Sequence, residues 1–180
     1  MNNLKRSMKS NRFLSLPGRQ LGTLFGLIGL CLILWILSPY FLTLSNLLNI
    51  VEQSSIISII AVGMTFVIIS SGIDLSVGSI LALSGVIMAS LLQMDLPILV
   101  ALSMGLAAGS FCGFLNGVLI SKGLLPPFIA TLGMMSIARG AALLVTQGRP
   151  ISGFSYSFRQ LASGEVLQIP VPVIIMLVLY

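Results

Sequence analysis

The sequence predicts an all-α protein, a polytopic bundle of transmembrane helices with about five complete spans and the start of a sixth. Of its 180 residues, 57% are hydrophobic and 7% are charged, whereas soluble domains carry about 25% charged residues. The mean hydropathy is +1.11. Nine basic and four acidic residues are too few to cover a soluble domain of this length, so lipid must cover most of the surface.

The first twenty residues form a basic tail. Five of the nine basic residues precede the first apolar run, namely Lys5, Arg6, Lys9, Arg12 and Arg19. Because basic residues near a span tend to remain cytoplasmic, we expect a cytoplasmic tail over 1–20 and a transmembrane domain over 21–180. This pattern indicates membrane topology and no nucleic-acid partner. A cleaved signal peptide is the alternative, but the run 21–37 is long for one and Ser38-Pro39-Tyr40 offers no small-x-small cleavage site.

The predicted spans follow from apolar runs. Charge-free runs occur at 21–37, 54–71, 75–92 and 96–120, and a fifth at 128–145 is interrupted by Arg139. Crossing a bilayer takes about 20 residues, so each run is long enough or nearly so. A sixth run begins near Ile169 and stops at Tyr180. It is too short to span, so we expect the chain to be incomplete at its C-terminus.

Alternation from a cytoplasmic N-terminus predicts which loops lie on each side. Segments 72–74 and 121–125, the latter with Lys122, fall inside, and 38–53, 93–95 and 146–168 fall outside. The segment 70–78 has two interpretations. It is either a tight helical hairpin, with Gly72 ending one helix and Asp74 capping the next, or a break in a discontinuous helix whose bare backbone lines a cavity.

Glycines at helical spacing predict where helices pack closely. Gly105, Gly109, Gly113 and Gly117 form three overlapping GxxxG units on one stripe of one span. In the first span, Gly22 and Gly26, together with Gly29, form a similar pattern. Such stripes let another helix approach closely where lipid removes the hydrophobic driving force.

The few polar residues within the spans are candidates for packing or for solute contact. Asn116 lies on or near the glycine stripe, where it could hydrogen-bond across a helix interface or touch a polar solute. Asp74 could be satisfied by Ser70, Ser71, Ser76 and the free amides of a following helix. Arg139 lies about 9 Å from the Val145 end of its run. In the simple topology, Glu52 or Asp95 lies nearer to Arg139 in membrane depth than Asp74 does, so either is the better candidate for an ion pair with Arg139.

The sequence contains none of the common catalytic or nucleotide-binding motifs. It has no histidine, its two cysteines Cys31 and Cys112 lie in apolar runs, and it has no GxxxxGK[ST], GxGxxG or HExxH string. We therefore expect no enzyme activity, metal or cofactor, and any ATP-driven work must belong to another chain.

A string of short motifs resembles a known family. The segments are Asn46-Leu-Leu-Asn-Ile50, Ala61-Val-Gly-Met-Thr65, Ser71-Gly-Ile-Asp-Leu-Ser-Val-Gly-Ser79, Lys122-Gly123, Pro127-Phe-Ile-Ala-Thr-Leu-Gly-Met-Met135, Arg139-Gly140 and Gly148-Arg-Pro150. In order and spacing they closely resemble the membrane subunits of bacterial ABC importers for monosaccharides, the ribose-type permeases. The resemblance covers nearly all of the chain from Pro39 onward.

The resemblance implies a permease in the bacterial inner membrane. Its partners would be a second permease subunit, sugar ATPase subunits and a periplasmic sugar-binding protein, and family members are longer than this chain. Candidates for the translocation pathway or for motif roles are Ser70, Ser71, Gly72, Asp74, Ser76, Gly78, Asn116, Thr131 and Arg139. Sugar would pass between the two permease subunits through a sparsely polar path.

Two other functions remain open from the sequence. One is a permease for branched-chain amino acids or another small solute, and the other is a truncated membrane scaffold without a pathway. The direction in which the polar side chains point distinguishes a protein with a transport pathway from a scaffold without one. If Ser70, Asp74, Ser76 and Asn116 all point to lipid, the pathway interpretation fails.

Overall fold

The computed structural model describes residues 16–166 and 169–180, which are mostly helical. The helices are α1 (Leu16–Leu37), α2 (Leu44–Ile69), α3 (Val77–Gln93), α4 (Ile98–Ser121), α5 (Pro127–Thr146), α6 (Tyr156–Ser163) and α7 (Val171–Leu179). Two short antiparallel strands, β1 (Glu165–Val166) and β2 (Ile169–Pro170), precede α7. The predicted polytopic helical class is confirmed. Most of the basic tail, including Lys5, Arg6, Lys9 and Arg12, lies outside the described residues.

Three helices of the described chain are long and apolar enough to cross a membrane by themselves. They are α2, α4 and α5, with 26, 24 and 20 residues. Helix α3, with 17 residues, and the apolar part of α1, Leu21–Leu37, are shorter. A 17-residue helix rises about 25 Å, less than the hydrocarbon thickness of about 30 Å. These two apolar segments therefore need flanking residues to span the full hydrocarbon thickness.

Helix α2 begins earlier than the sequence predicted. The polar segment 38–53 was expected to be a loop, but the helix starts at Leu44. Thr43 Oγ1 donates to Tyr40 O (2.8 Å) and accepts from Asn46 N (3.4 Å), while Asn46 Nδ2 donates to Phe41 O (2.8 Å). These bonds satisfy the first turn, so the polar side chains begin the helix and do not interrupt it.

The described chain divides into two compact units, with the boundary between Val51 and Glu52. In the second unit, α3, α4 and α5 pack against one another. Their joint core contains Leu83, Cys112, Met134, Ala138 and Ala142. The loops joining these three helices are short, so successive helices run antiparallel.

The glycine stripe on α4 has two different environments. A Cβ added at Gly105 would lie 3.0 Å from Ser84 O and 3.1 Å from Met88 Cβ, and one at Gly109 would lie 2.7 Å from Ser84 Oγ. A Cβ at Gly113 or Gly117 would meet no described atom within 4 Å. The first half of the stripe thus brings α3 close to α4, while the second half faces open space.

The first span shows no comparable close approach among the described residues. A Cβ added at Gly22, Gly26 or Gly29 would meet no atom within 4 Å. Close helix packing through these three glycines remains a prediction.

Replacing Gly105 with leucine should destabilise the fold. The new side chain must enter the α3–α4 contact, where overpacking costs about 1 to 3 kcal/mol. We expect Gly105→Leu to lower the melting temperature of the detergent-solubilised chain by several degrees. The matched control is Gly113→Leu on the same helix, which has open space at its Cβ. Equal melting temperatures for the two variants would contradict the close α3–α4 approach.

Candidate functional site

The chain is interrupted between α2 and α3, and α2 ends there on a left-handed residue. Ser71 has a φ of 58°, Gly72 N donates to Val67 O (2.9 Å) and Ser71 N donates to Ile68 O (2.9 Å). These bonds form a Schellman motif, which satisfies the last carbonyls of a helix. The hairpin interpretation had Gly72 ending α2 and Asp74 capping α3. Ser71 instead takes the left-handed position that glycine usually occupies, and Ser76 is the N-cap residue of α3.

The start of α3 is held by a short relay of side chains. Asp74 Oδ1 accepts from Ser76 N (2.7 Å) and from Ser76 Oγ (2.6 Å), and Asn116 Nδ2 on α4 donates to Ser76 Oγ (2.9 Å). Ser76 is fully buried. Its single hydroxyl hydrogen is given to Asp74, so its oxygen must accept from Asn116. The relay therefore runs Asn116 to Ser76 to Asp74, and it ties α4 to the first residues of α3.

A third helix also contacts the interrupted segment. Thr131 on α5 is 2% exposed. Its hydroxyl is within hydrogen-bond distance of Pro127 O (2.8 Å) in its own helix and of Ile73 O (3.2 Å) in the break. A carbonyl left free by the missing helical turn thus gains a donor.

A cavity of about 300 Å³ adjoins this segment. We call it the break cavity, and it is lined by Val67, Ser70, Gly72, Ile73, Asp74, Gly113, Asn116, Gly117, Ile120, Pro127 and Thr131. Asp74 is the one ionisable residue in this lining. Irregular backbone at membrane depth is tolerated where it lines a cavity or is buried in protein, and the break cavity meets that condition.

This geometry disfavours a tight hairpin. The helices that pack along one another in the described part of the second unit include α3–α4, α3–α5 and α4–α5, whereas α2 does not pack lengthwise against α3. A tight hairpin would place α2 and α3 side by side. The residues between them face α4 and α5 instead.

Arg139 and Gly78 lie in a different place. They line a groove of about 480 Å³ between α3 and α5, with Ser79 and Thr146 among its polar residues. We call it the Arg139 groove. Arg139 is exposed and forms no ion pair with a carboxylate of residues 16–166 or 169–180. The expected pairing with Glu52 or Asp95 is therefore absent from the described chain.

The structure brings together most, though not all, of the residues predicted as pathway or motif candidates. Ser70, Gly72, Asp74, Asn116 and Thr131 line the break cavity, and Ser76 lies behind Asp74. Ser71 is exposed beside it. Gly113 and Gly117 also line the cavity, whereas the sequence had predicted that they serve helix packing. Gly113 lies three residues before Asn116 and Gly117 one residue after it, and this spacing could have indicated that all three share one side of α4.

A polytopic helical protein with a polar cavity beside irregular backbone between two helices has features of a membrane permease. The sequence model of the family described as "Branched-chain amino acid transport system / permease component" matches residues 46–179. This chain belongs to that family.

Individual relatives have names that specify sugars. The chain is 46% identical over 158 residues to the ribose import permease protein RbsC of Haemophilus influenzae, covering 86% of this chain and 49% of that protein. It is 44% identical over 164 residues to RbsC of Bacillus subtilis, covering 90% and 51%. It is 43% identical over 159 residues to the D-allose transport system permease protein AlsC of Escherichia coli, covering 87% and 49%. The chain spans about half the length of the curated relatives it matches. No solved structure matches it.

Removing the Asp74 carboxylate should loosen the break. In Asp74→Ala, Ser76 N and Ser76 Oγ both lose their acceptor, and leaving buried donors unpaired costs about 1 to 3 kcal/mol. We expect a lower melting temperature and faster proteolysis near residues 70–76. Asp74→Asn is the matched control, since its amide oxygen still accepts from Ser76. If both variants melt alike, the hydrogen bonds to Oδ1 do not hold the break.

Proposed function

We propose that this chain forms part of the transmembrane permease subunit of an ATP-binding-cassette importer for a monosaccharide, a ribose-like pentose or a related sugar. The observation that carries the proposal is the 44 to 46% identity to ribose import permeases over 86 to 90% of the chain. The break cavity supports it, because a volume of about 300 Å³ falls at the lower end of small-molecule sites, roughly 300 to 1,000 Å³.

The candidate pathway is the region around the break cavity. Asn116 and Ser76 are buried, Asp74 is half-buried, and Ser70, although exposed, lines the cavity. These four residues do not all point to lipid, so the condition that would have excluded a pathway is not met. A pathway with few polar groups suits a permease, since tight binding on the way through would slow release of the solute.

The partners follow from the importer class. We place ATP hydrolysis on separate sugar ATPase subunits, delivery of the sugar on a periplasmic binding protein, and the passage beside a second permease subunit, in a homo- or heterodimer. The chain would lie in the bacterial inner membrane, with residues 1–20 as a cytoplasmic tail and 21–180 as the permease domain. The basic residues of the tail support this orientation.

A second candidate is the uptake of a branched-chain amino acid, which the description of the matching family names. An amino acid carries a carboxylate, and such groups are commonly bound by arginine, lysine or free backbone amides. The ionisable residue lining the break cavity is Asp74, an acid that could pair with the ammonium group of an amino acid but not with its carboxylate. The sugar-named relatives therefore favour the monosaccharide.

Uptake of radiolabelled solutes tests the proposal. In a bacterial strain that lacks the gene encoding this chain, we expect accumulation of D-ribose or D-allose to fall to background and L-leucine uptake to remain unchanged. Reintroducing the gene should restore sugar uptake. Loss of leucine uptake with intact uptake of pentoses and hexoses would instead support the amino-acid permease, and no change in either would contradict an importer role.

A further inference from the structure

The side-chain hydroxyls around the break cavity already donate to protein groups. Ser70 Oγ donates to Val67 O (2.8 Å), and Ser76 Oγ donates to Asp74 Oδ1 (2.6 Å). The Thr131 hydroxyl hydrogen is taken up by Pro127 O and Ile73 O. A hydroxyl group has one hydrogen to give. These three side chains therefore have no hydrogen left for a ligand.

Two side-chain oxygens at the cavity are left unpaired, one on Asn116 and one on Asp74, while Asn116 Nδ2 keeps a second hydrogen beyond the one given to Ser76 Oγ. Asn116 is 4% exposed, and its Oδ1 has no hydrogen-bond partner in the described chain. The amide cannot be turned to relieve this, because Nδ2 must donate to Ser76 Oγ. Asp74 uses Oδ1 for both of its bonds, which leaves Oδ2 without a donor among the described residues. A buried acceptor without a donor is unfavourable, so these oxygens favour a ligand that brings hydrogens.

We propose that the break cavity is a binding site for a neutral, hydroxyl-rich ligand whose O–H groups donate to Asn116 Oδ1 and to the Asp74 carboxylate. This inference rests on the proposed function, and it adds where the ligand binds and which of its groups the protein recognises. A neutral monosaccharide has several hydroxyl hydrogens and no charge to oppose Asp74. A sugar phosphate or a sugar acid would bring a negative charge beside Asp74 and would offer oxygens to oxygens.

A cysteine in the cavity wall reports binding directly. Gly117 lines the cavity and has open space at its Cβ, so Gly117→Cys fits without a clash. The native thiols are removed with Cys31→Ala and Cys112→Ala. The full chain in lipid nanodiscs is then labelled with N-ethylmaleimide, with and without a solute. We expect D-ribose to slow the labelling in a saturable way, and the anions ribose 5-phosphate and D-ribonate to leave the rate unchanged.

Two controls separate the cavity from its surroundings. Gly85→Cys on α3 also has open space but lies outside the break cavity lining, so its labelling should not respond to D-ribose. Gly113→Cys is a second reporter in the cavity wall, which keeps the test valid if Gly117→Cys fails to fold. Protection at Gly85→Cys, or equal protection by all three solutes, would overturn the proposal.

Asn116→Leu tests the acceptor itself. The change keeps a similar volume and removes the amide, so we expect the D-ribose concentration for half-protection to rise about threefold to tenfold, the factor that one net hydrogen bond corresponds to. Asn49→Leu, the same change at an exposed position of α2, should leave it unchanged. Identical curves for Asn116→Leu and the unmodified chain would reject this role of Asn116.

The labelling and uptake experiments fail in different ways. Sugar uptake without protection by D-ribose would leave the importer function standing and show that the break cavity holds water only, which overturns the site. If D-ribose protects the cysteine and the anions do not, but cells take up no sugar, the result would support the site and contradict the importer function.

Discussion

The structure depends on one constraint, that backbone amides and carbonyls in a lipid environment must find partners within the protein. The segment between α2 and α3 breaks the helical hydrogen-bond pattern, so its free groups need other partners. Ser71 closes the end of α2 in the left-handed conformation, and Asp74 accepts from the amide of Ser76. The Thr131 hydroxyl, which lies nearest to Pro127 O, is also within hydrogen-bond distance of Ile73 O.

The same bonds position the neighbouring helices. Asn116 reaches the break from α4 and Thr131 reaches it from α5, so the break is joined to both helices that pack against α3. The glycine stripe on α4 fits this arrangement. Gly105 and Gly109 allow α3 to approach closely, and the open positions at Gly113 and Gly117 leave space beside the break. One helix thus supplies the tight contact and, two turns later, the wall of a cavity.

Much of the fold could be predicted from the sequence, because apolar runs and the absence of charge dominate it. The sequence also indicated that segment 70–78 was unusual and that Asp74 and Asn116 were polar groups needing partners. It could not show that both meet at Ser76, since residues 76 and 116 are far apart along the chain. It misplaced the start of α2, because Asn46, Asn49 and Glu52 look like loop residues until local hydrogen bonds at Thr43 and Phe41 are known. The predicted ion pair of Arg139 with Glu52 or Asp95 rested on membrane depth alone, and depth does not determine which face of a helix a side chain occupies.

The hydrogen bonds from Asn116 to Ser76 and from Ser76 to Asp74 also explain how a ligand could bind at the break without disrupting it. Asn116 uses one of its two amide hydrogens to hold Ser76 and leaves Oδ1 free, and Asp74 uses Oδ1 and leaves Oδ2 free. A ligand that donates hydrogen bonds would take only the unused oxygens. An anion would face the carboxylate of Asp74, and it could take the hydroxyl hydrogens of Ser70, Ser76 and Thr131 only by competing with Val67 O, Asp74 and Pro127 O. The charge of Asp74 and the direction of these bonds therefore favour neutral, donor-rich solutes over anions.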